Sequence, residues 1–181
     1  MTSSHAGRVL LVTALVSIGV IVEGQTPARG RQGYATATSQ AGTANVRQVM
    51  RGILFPNSNV VFAAQSDDPA KVKQAQDPST APNPLESVYG GWEAVANSGI
   101  ALTESARLLE IPRRCSNGNA APIGGVTWKQ GLTQLREAGR AAYEAAQAKS
   151  QDKVLDASDK ITEACSTCHD KYREKTPRCV D

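Results

Sequence analysis

Apolar side chains recur every three or four residues along four long segments of the chain, and this spacing constrains the fold more than any other feature. A helix that buries one face needs this period, whereas a half-buried strand needs strict alternation, which none of the four segments shows. The sequence therefore predicts an all-α fold, with a four-helix bundle as the expected architecture. The predicted helices span residues 44–65, 85–109, 126–149 and 150–175.

The first predicted helix contains a proline in its interior. Pro56 offers no amide proton, and its ring meets the carbonyl group of Gly52. We expect the helix to kink or split there, with Asn57 and Ser58 as candidate caps of a second half.

Each of the other helices carries an apolar stripe that is expected to face the core. Gly139 falls on the stripe of the third helix, where its missing side chain allows a neighbouring element to approach the backbone closely. The expected core positions are Val88, Trp92, Val95, Ile100, Leu102 and Leu109 in the second helix, Trp128, Leu132, Leu135, Ala142 and Ala146 in the third, and Val154, Ile161, Cys165, Cys168 and Tyr172 in the fourth.

The N-terminus has the pattern of a cleaved export signal. Arg8 gives a short positive start, residues 9–22 are mainly apolar, and Val22-Glu23-Gly24 is a candidate cleavage site. The apolar stretch is shorter than the ~20 residues of a membrane-spanning helix, which favours a cleaved signal over an uncleaved anchor. We expect a periplasmic protein with a signal peptide at 1–24, a flexible leader at 25–43 and a helical domain at 44–181.

Length and charge limit the classes of partner. A chain of 181 residues is long enough for one domain with a proper core. Its net charge is +3, and its basic residues are scattered along the sequence without the clustered run that a nucleic-acid surface needs. We expect no nucleic-acid partner and, after signal cleavage, no stable membrane insertion.

The most specific chemical signal is Cys165-Ser166-Thr167-Cys168-His169, which has the C-x-x-C-H spacing of haem c attachment. On a helix, Cys165, Cys168 and His169 fall at positions i, i+3 and i+4, so the three side chains share one face. Two thiols at this spacing can each add to one vinyl group of a haem, and the adjacent imidazole can bind the iron. We therefore expect one covalently attached haem c.

Three other interpretations of the motif remain open. A thioredoxin-like thiol pair would prefer a βαβ setting and has no need of His169. A zinc site would require further ligands, since Cys168 and His169 are adjacent and poorly placed to chelate one ion. The two cysteines could also be buried structural residues beside an incidental histidine.

A C-x-x-C-H motif on the last helix of a four-helix bundle resembles the class II cytochromes c, the family of cytochrome c-prime and its low-spin relatives. The resemblance covers residues 44–175, and its specific part is residues 164–173. It implies thioether bonds from Cys165 and Cys168, proximal ligation of iron by His169, and a distal haem face covered by the first helix. Arg173 matches a basic residue that follows the motif in many members.

Met50 is the candidate for the sixth iron ligand. In an up-down-up-down bundle the first helix starts at the end where the fourth helix finishes, which places Met50 and His169 at similar height across the core. A thioether opposite a histidine is typical of low-spin electron carriers and raises the reduction potential. A plain core methionine is the competing interpretation.

Two arginines flank this position. In the family pattern an arginine precedes the distal residue by four positions, but Arg47 precedes Met50 by three, so the distal position could instead fall on Arg51. Arg47 and Arg51 are candidate partners of the haem propionates, or ordinary solvent-facing residues. Four aromatic residues are candidate packing partners of the haem or ordinary core aromatics: Trp92, Trp128, Tyr143 and Tyr172.

The two remaining cysteines are candidates for a disulfide. Cys115 follows the second predicted helix and Cys179 follows the fourth, and both helices finish at the same end of an antiparallel bundle. Export would place them in a compartment that permits disulfide formation.

The expected function is one-electron transfer, with other redox proteins as transient partners. No acid–base pair or activated nucleophile stands out in the sequence, so an enzyme is not expected. Two alternatives stay open: a five-coordinate haem that binds nitric oxide or carbon monoxide, and a haem-free module in which Cys165 and Cys168 exchange thiols. The resemblance is also compatible with a homodimer.

Overall fold

The computed structural model describes residues 41–180, and this part of the chain is all-α. The predicted signal peptide and most of the predicted leader lie outside the described residues. The helices are α1 (Val46–Val49), α2 (Phe55–Ser66), α3 (Trp92–Leu108), α4 (Val126–Gln147) and α5 (Gln151–Tyr172), with a π-helical turn at Met50–Leu54 and a short 3-10 helix at Pro84–Glu86.

The first helical segment begins one residue after Asn45, whose side chain accepts a hydrogen bond from the Gln48 amide while the Gln48 side chain accepts one from the Asn45 amide. This capping box satisfies two amide groups that a helix start leaves open. The segment then runs through the π turn into α2, so the predicted helix at 44–65 is observed at 46–66.

Pro56 explains the π turn. It has no amide proton to donate to Gly52, and the turn before it widens so that the Phe55 amide bonds to the Met50 carbonyl group. The prediction that Asn57 and Ser58 cap a second half is wrong. Their side chains instead donate back to carbonyl groups of the preceding turn, at Ile53 and Phe55.

The second predicted helix starts later than expected because of two glycines. A Cβ at Gly90 would lie 2.3 Å from the Leu85 carbonyl oxygen, and Gly91 has a positive φ of 58°, so the chain turns sharply before α3. Val88 therefore falls outside the helix and is 51% exposed. Ile100, also predicted as a core residue, is 44% exposed on α3.

The third and fourth predicted helices match the structure closely. All five predicted stripe residues of α4 are buried, and Gly139 faces α3, where a Cβ would lie 2.6 Å from the Thr103 amide nitrogen and 2.8 Å from the Gly99 carbonyl oxygen. The predicted close approach at Gly139 is confirmed. Ser150 caps α5 by accepting a hydrogen bond from the Lys153 amide.

Consecutive long helices pack against each other in opposite directions. α4 packs against both α3 and α5, and α2 packs against α3 and α5. The Gln151 side chain at the start of α5 donates to the carbonyl groups of Ala64 and Gln65 at the end of α2. At the other end, Trp128 links three segments: its indole donates to the Leu109 carbonyl, and its amide donates to the Tyr172 hydroxyl.

A disulfide joins the loop after α3 to the tail after α5. Cys115 and Cys179 have Cα atoms 6.4 Å apart, within the range that a disulfide spans, which confirms the predicted pairing. The Asn117 side chain also donates to the Arg178 carbonyl group. In the same loop, the buried Arg113 guanidinium donates to the carbonyl groups of Leu108 and Ala44, which ties the residues before α1 to the end of α3.

Within residues 41–180, no helix has the length and apolar character needed to span a membrane.

The α3–α4 contact can be tested by Gly139→Ala. The added Cβ meets backbone atoms of α3 that cannot move independently, so we expect the free energy of unfolding to fall by about 1–3 kcal/mol, despite the better helix propensity of alanine. Urea unfolding measures this change. Gly124→Ala is the control, because a Cβ there has no atom within 4 Å and should change stability by less than about 0.5 kcal/mol. Equal stability of both variants would contradict the close packing.

Candidate functional site

The C-x-x-C-H motif lies in the last two turns of α5, with the side chains of Cys165, Cys168 and His169 on one half-buried face. Cys165, Cys168 and His169 all line one small cavity in the interior. The spacing of the motif and the burial of Ala164 and Tyr172 on the same side explain why this face turns inward. The sequence therefore predicted correctly which residues the helix brings together.

The cavity is small and its surface is almost entirely apolar. It encloses about 30 Å³, enough for a water molecule or two. Three parts of the chain besides α5 contribute to its wall: the π turn, the residue that follows α3 and the first half of α4. The apolar wall residues are Leu54, Leu109, Leu132, Leu135 and Ala164.

Gly131 makes room for one of the two thiols. A Cβ built on Gly131 would lie 2.2 Å from the Cys168 sulfur, so any side chain at this position of α4 would displace Cys168. Sequence reasoning missed this residue, although its signal was available: Gly131 precedes Leu135 by four residues and therefore falls on the apolar stripe of α4.

Met50 lines the same cavity as His169, as the antiparallel arrangement predicted. It is the first residue of the π turn, half-buried, and packs against the core. The side chain thus brings a thioether sulfur to the cavity that holds both thiols and the imidazole. Leu54, at the other end of the π turn, completes this wall; its helical spacing from Met50 marks it as an apolar position of the first helix, but the sequence did not identify it as a site residue.

Arg47 and Arg51 belong to the same segment but do not line the cavity. Both side chains are exposed, whereas Val49 between them is buried. The structure thus places the two arginines beside Met50 in the chain and on the solvent side of the segment. Their predicted role as propionate partners stays a prediction.

The predicted aromatic neighbours divide between the two ends of the molecule. Trp128 and Tyr172 pack edge to face with ring centroids 5.4 Å apart, next to Leu109 of the cavity wall. Trp92 and Tyr143 instead line an open groove of about 370 Å³ at the opposite end of α3 and α4. The second pair therefore lies away from the cavity.

Burial shifts the pKa values of all three motif residues in the direction that favours their neutral forms. It raises the pKa of Cys168 to about 11, and the neighbouring Cys165 thiolate adds to this effect. It also raises the pKa of Cys165, against a smaller opposing effect of the Arg173 charge. The pKa of His169 is lowered by burial and then by Arg173, which keeps a ring nitrogen lone pair available for a metal at neutral pH.

The other interpretations of the motif can be compared with this geometry. Reactive thiols of thioredoxin-like pairs have lowered pKa values, whereas the pKa values of both thiols here are raised. In the described part of the chain, no group of three or more His, Cys, Asp or Glu side chains is arranged to hold a metal ion.

Comparisons with models of known protein families, with curated proteins and with solved structures found no match to this chain.

The raised thiol pKa values predict slow alkylation of the haem-free protein. A thiol with a pKa near 11 is almost fully protonated at pH 7.5, so iodoacetamide should label Cys168 about 100-fold more slowly than a cysteine in a short peptide. The rate should rise about tenfold per pH unit up to pH 10.

Mass-resolved labelling measures this rate at each cysteine, and unfolding in guanidinium should abolish the difference. Labelling of folded protein as fast as that of the peptide would contradict the buried thiol environment.

Proposed function

We propose that the chain carries one covalently attached haem c, with thioether bonds to Cys165 and Cys168 and iron bound by His169, and that it acts in one-electron transfer. One observation carries this proposal: the full C-x-x-C-H set and the thioether of Met50 line a single apolar cavity. We propose Met50 as the sixth ligand of the iron. Under this proposal the protein is an electron carrier and not an enzyme.

The donor set suits this group chemically. Cys165 and Cys168 offer thiols one helical turn apart, which matches attachment to two vinyl groups of one porphyrin. His169 is half-buried with a lowered pKa, so its imidazole is held neutral and can coordinate a metal. The bound iron would supply a one-electron redox centre, and an axial thioether raises its reduction potential.

The size of the cavity implies that the surrounding wall moves when the haem is attached. About 30 Å³ is far too small for a porphyrin, so the wall formed by Met50 and Leu54 must separate from α5. This wall is the π turn, whose bonding is already altered by Pro56. We propose that this segment shifts while Gly131 keeps its place beside Cys168.

The finer description of the fold belongs to the same proposal. The observed contacts of antiparallel neighbouring helices support an up-down-up-down four-helix bundle, as in the class II cytochromes c. We further propose export to the periplasm, exposed Arg47 and Arg51 as partners of the haem propionates, and transient contact with other redox proteins. A homodimer is compatible with this proposal and does not follow from it.

Met50→Ala tests the sixth ligand and separates electron transfer from gas binding. If Met50 binds the iron, the reduced wild-type protein should be low-spin and should not bind carbon monoxide. The Met50→Ala variant should become high-spin, bind carbon monoxide, and show a lower reduction potential. Absorption spectroscopy with and without the gas, together with a redox titration, measures these properties.

Leu54→Ala is the matched control, because it enlarges the same cavity without removing a sulfur donor. The iron of this variant should stay low-spin. Identical spectra of Met50→Ala and wild type would show that Met50 is not a ligand of the iron. A high-spin wild-type protein that binds carbon monoxide would favour the five-coordinate alternative.

A further inference from the structure

Folding brings basic residues that are scattered along the sequence to one end of the helices. The beginning of α1, the end of α3, the beginning of α4 and the end of α5 all meet at the level of the cavity, through contacts such as the Trp128 bonds to Leu109 and Tyr172. We divide each helix at its middle, so that the cavity end comprises residues 41–56, 101–136 and 161–180. It has eleven basic and five acidic residues, a net charge of +6.

The opposite end, which comprises residues 57–100 and 137–160, has six basic and ten acidic residues, a net charge of −4. The described part of the chain is therefore strongly dipolar, although its total charge is only +2. A charge separation of this kind orients an approaching charged molecule and raises its rate of association.

The basic residues of the cavity end are accessible to a partner. Eight of them are exposed: Arg47, Arg51, Arg107, Arg114, Lys129, Arg173, Lys175 and Arg178. Glu110 pairs with Arg136 and Glu174 with Arg173, but five acidic residues cannot balance eleven basic ones, so this end keeps an excess of positive charge.

Exposed apolar side chains lie on the same end. Val126, at the start of α4, is 82% exposed, and Phe55, directly after the π turn, is 65% exposed; they are the two most exposed large apolar residues of the described chain. Apolar contacts surrounded by charged residues are the usual composition of a protein–protein interface.

We propose that the cavity end is the docking surface for an acidic protein partner. The inference rests on the proposed haem function, because the docked partner would exchange one electron with the iron held by His169, with no bond formed or broken. Glu110, Asp170 and Glu174 lie among the basic residues, and these carboxylates suit a protein surface of mixed charge better than a uniformly anionic membrane or nucleic acid.

Small redox reagents of opposite charge test the surface on the holoprotein. Reduced protein is oxidised in stopped flow by hexacyanoferrate(III), a trianion, or by tris(phenanthroline)cobalt(III), a trication, each of which accepts one electron. Between about 10 and 500 mM sodium chloride, the rate with the anion should fall about tenfold and the rate with the cation should rise.

Matched charge reversals locate the effect. Arg107→Glu with Lys129→Glu should remove most of the salt dependence with hexacyanoferrate, since both residues are exposed at the cavity end. The control variant, Lys73→Glu with Lys153→Glu, changes the net charge by the same amount at the opposite end. It should leave the salt dependence of oxidation by hexacyanoferrate nearly unchanged. Equal effects of the two variants, or no salt dependence, would overturn the proposal.

The class of partner is tested with poly-L-glutamate and with phosphatidylcholine vesicles containing about one third phosphatidylglycerol. Poly-L-glutamate should bind, measured by calorimetry, and slow oxidation by hexacyanoferrate, and the Arg107/Lys129 variant should bind it about tenfold more weakly. Capture by vesicles without binding of poly-L-glutamate would overturn the assignment to a protein.

Binding of poly-L-glutamate can be measured by calorimetry on protein without haem. The docking surface and the haem function can therefore be tested independently. A preparation that binds poly-L-glutamate but carries no haem overturns the proposed function alone. A haem-loaded protein that fails to bind overturns the docking surface alone.

Discussion

The Cys168 thiol on α5 packs directly against Gly131 on α4, and Cys165 and His169 line the same cavity around this contact. A Cβ at Gly131 would overlap the Cys168 sulfur in its present rotamer, so glycine on α4 leaves the space in which this thiol lies. The burial of Ala164 and Tyr172 on the same side of α5 turns this face, with Cys165 and His169, towards the apolar interior. Burial then favours the protonated form of both thiols and the neutral form of the imidazole.

The neighbouring structure holds this end of the molecule in place from several sides. Trp128 bonds to both α3 and α5, Arg113 ties the residues before α1 to α3, and the Cys115–Cys179 disulfide fastens the tail after α5. The cavity wall opposite α5 is different, because it is a π turn next to a proline. Under the proposed haem attachment, this π turn is the wall that would have to make room for the group, opposite the face of α5 that carries the motif.

Much of this arrangement follows from sequence patterns that reflect burial. The apolar stripe of α4, the close approach at Gly139 and the shared cavity of Met50 and His169 were predictable, since helical periodicity and antiparallel packing determine them. The late start of α3 depends on local backbone geometry at Gly90 and Gly91, which periodicity alone does not register. The π turn was anticipated only as a kink, and the charge separation appears only when the helices are placed side by side.

The proposed function requires a haem covalently attached to α5, and peptide mass mapping can detect this attachment. The protein is produced with the cytochrome c maturation machinery and digested, and the peptide that contains Cys165 and Cys168 is identified. We expect this peptide to be heavier by the mass of one haem, to absorb in the Soret band and to have no alkylatable thiol. The same peptide at its bare mass, with two free thiols, in otherwise folded and processed protein would show that no haem is attached to α5.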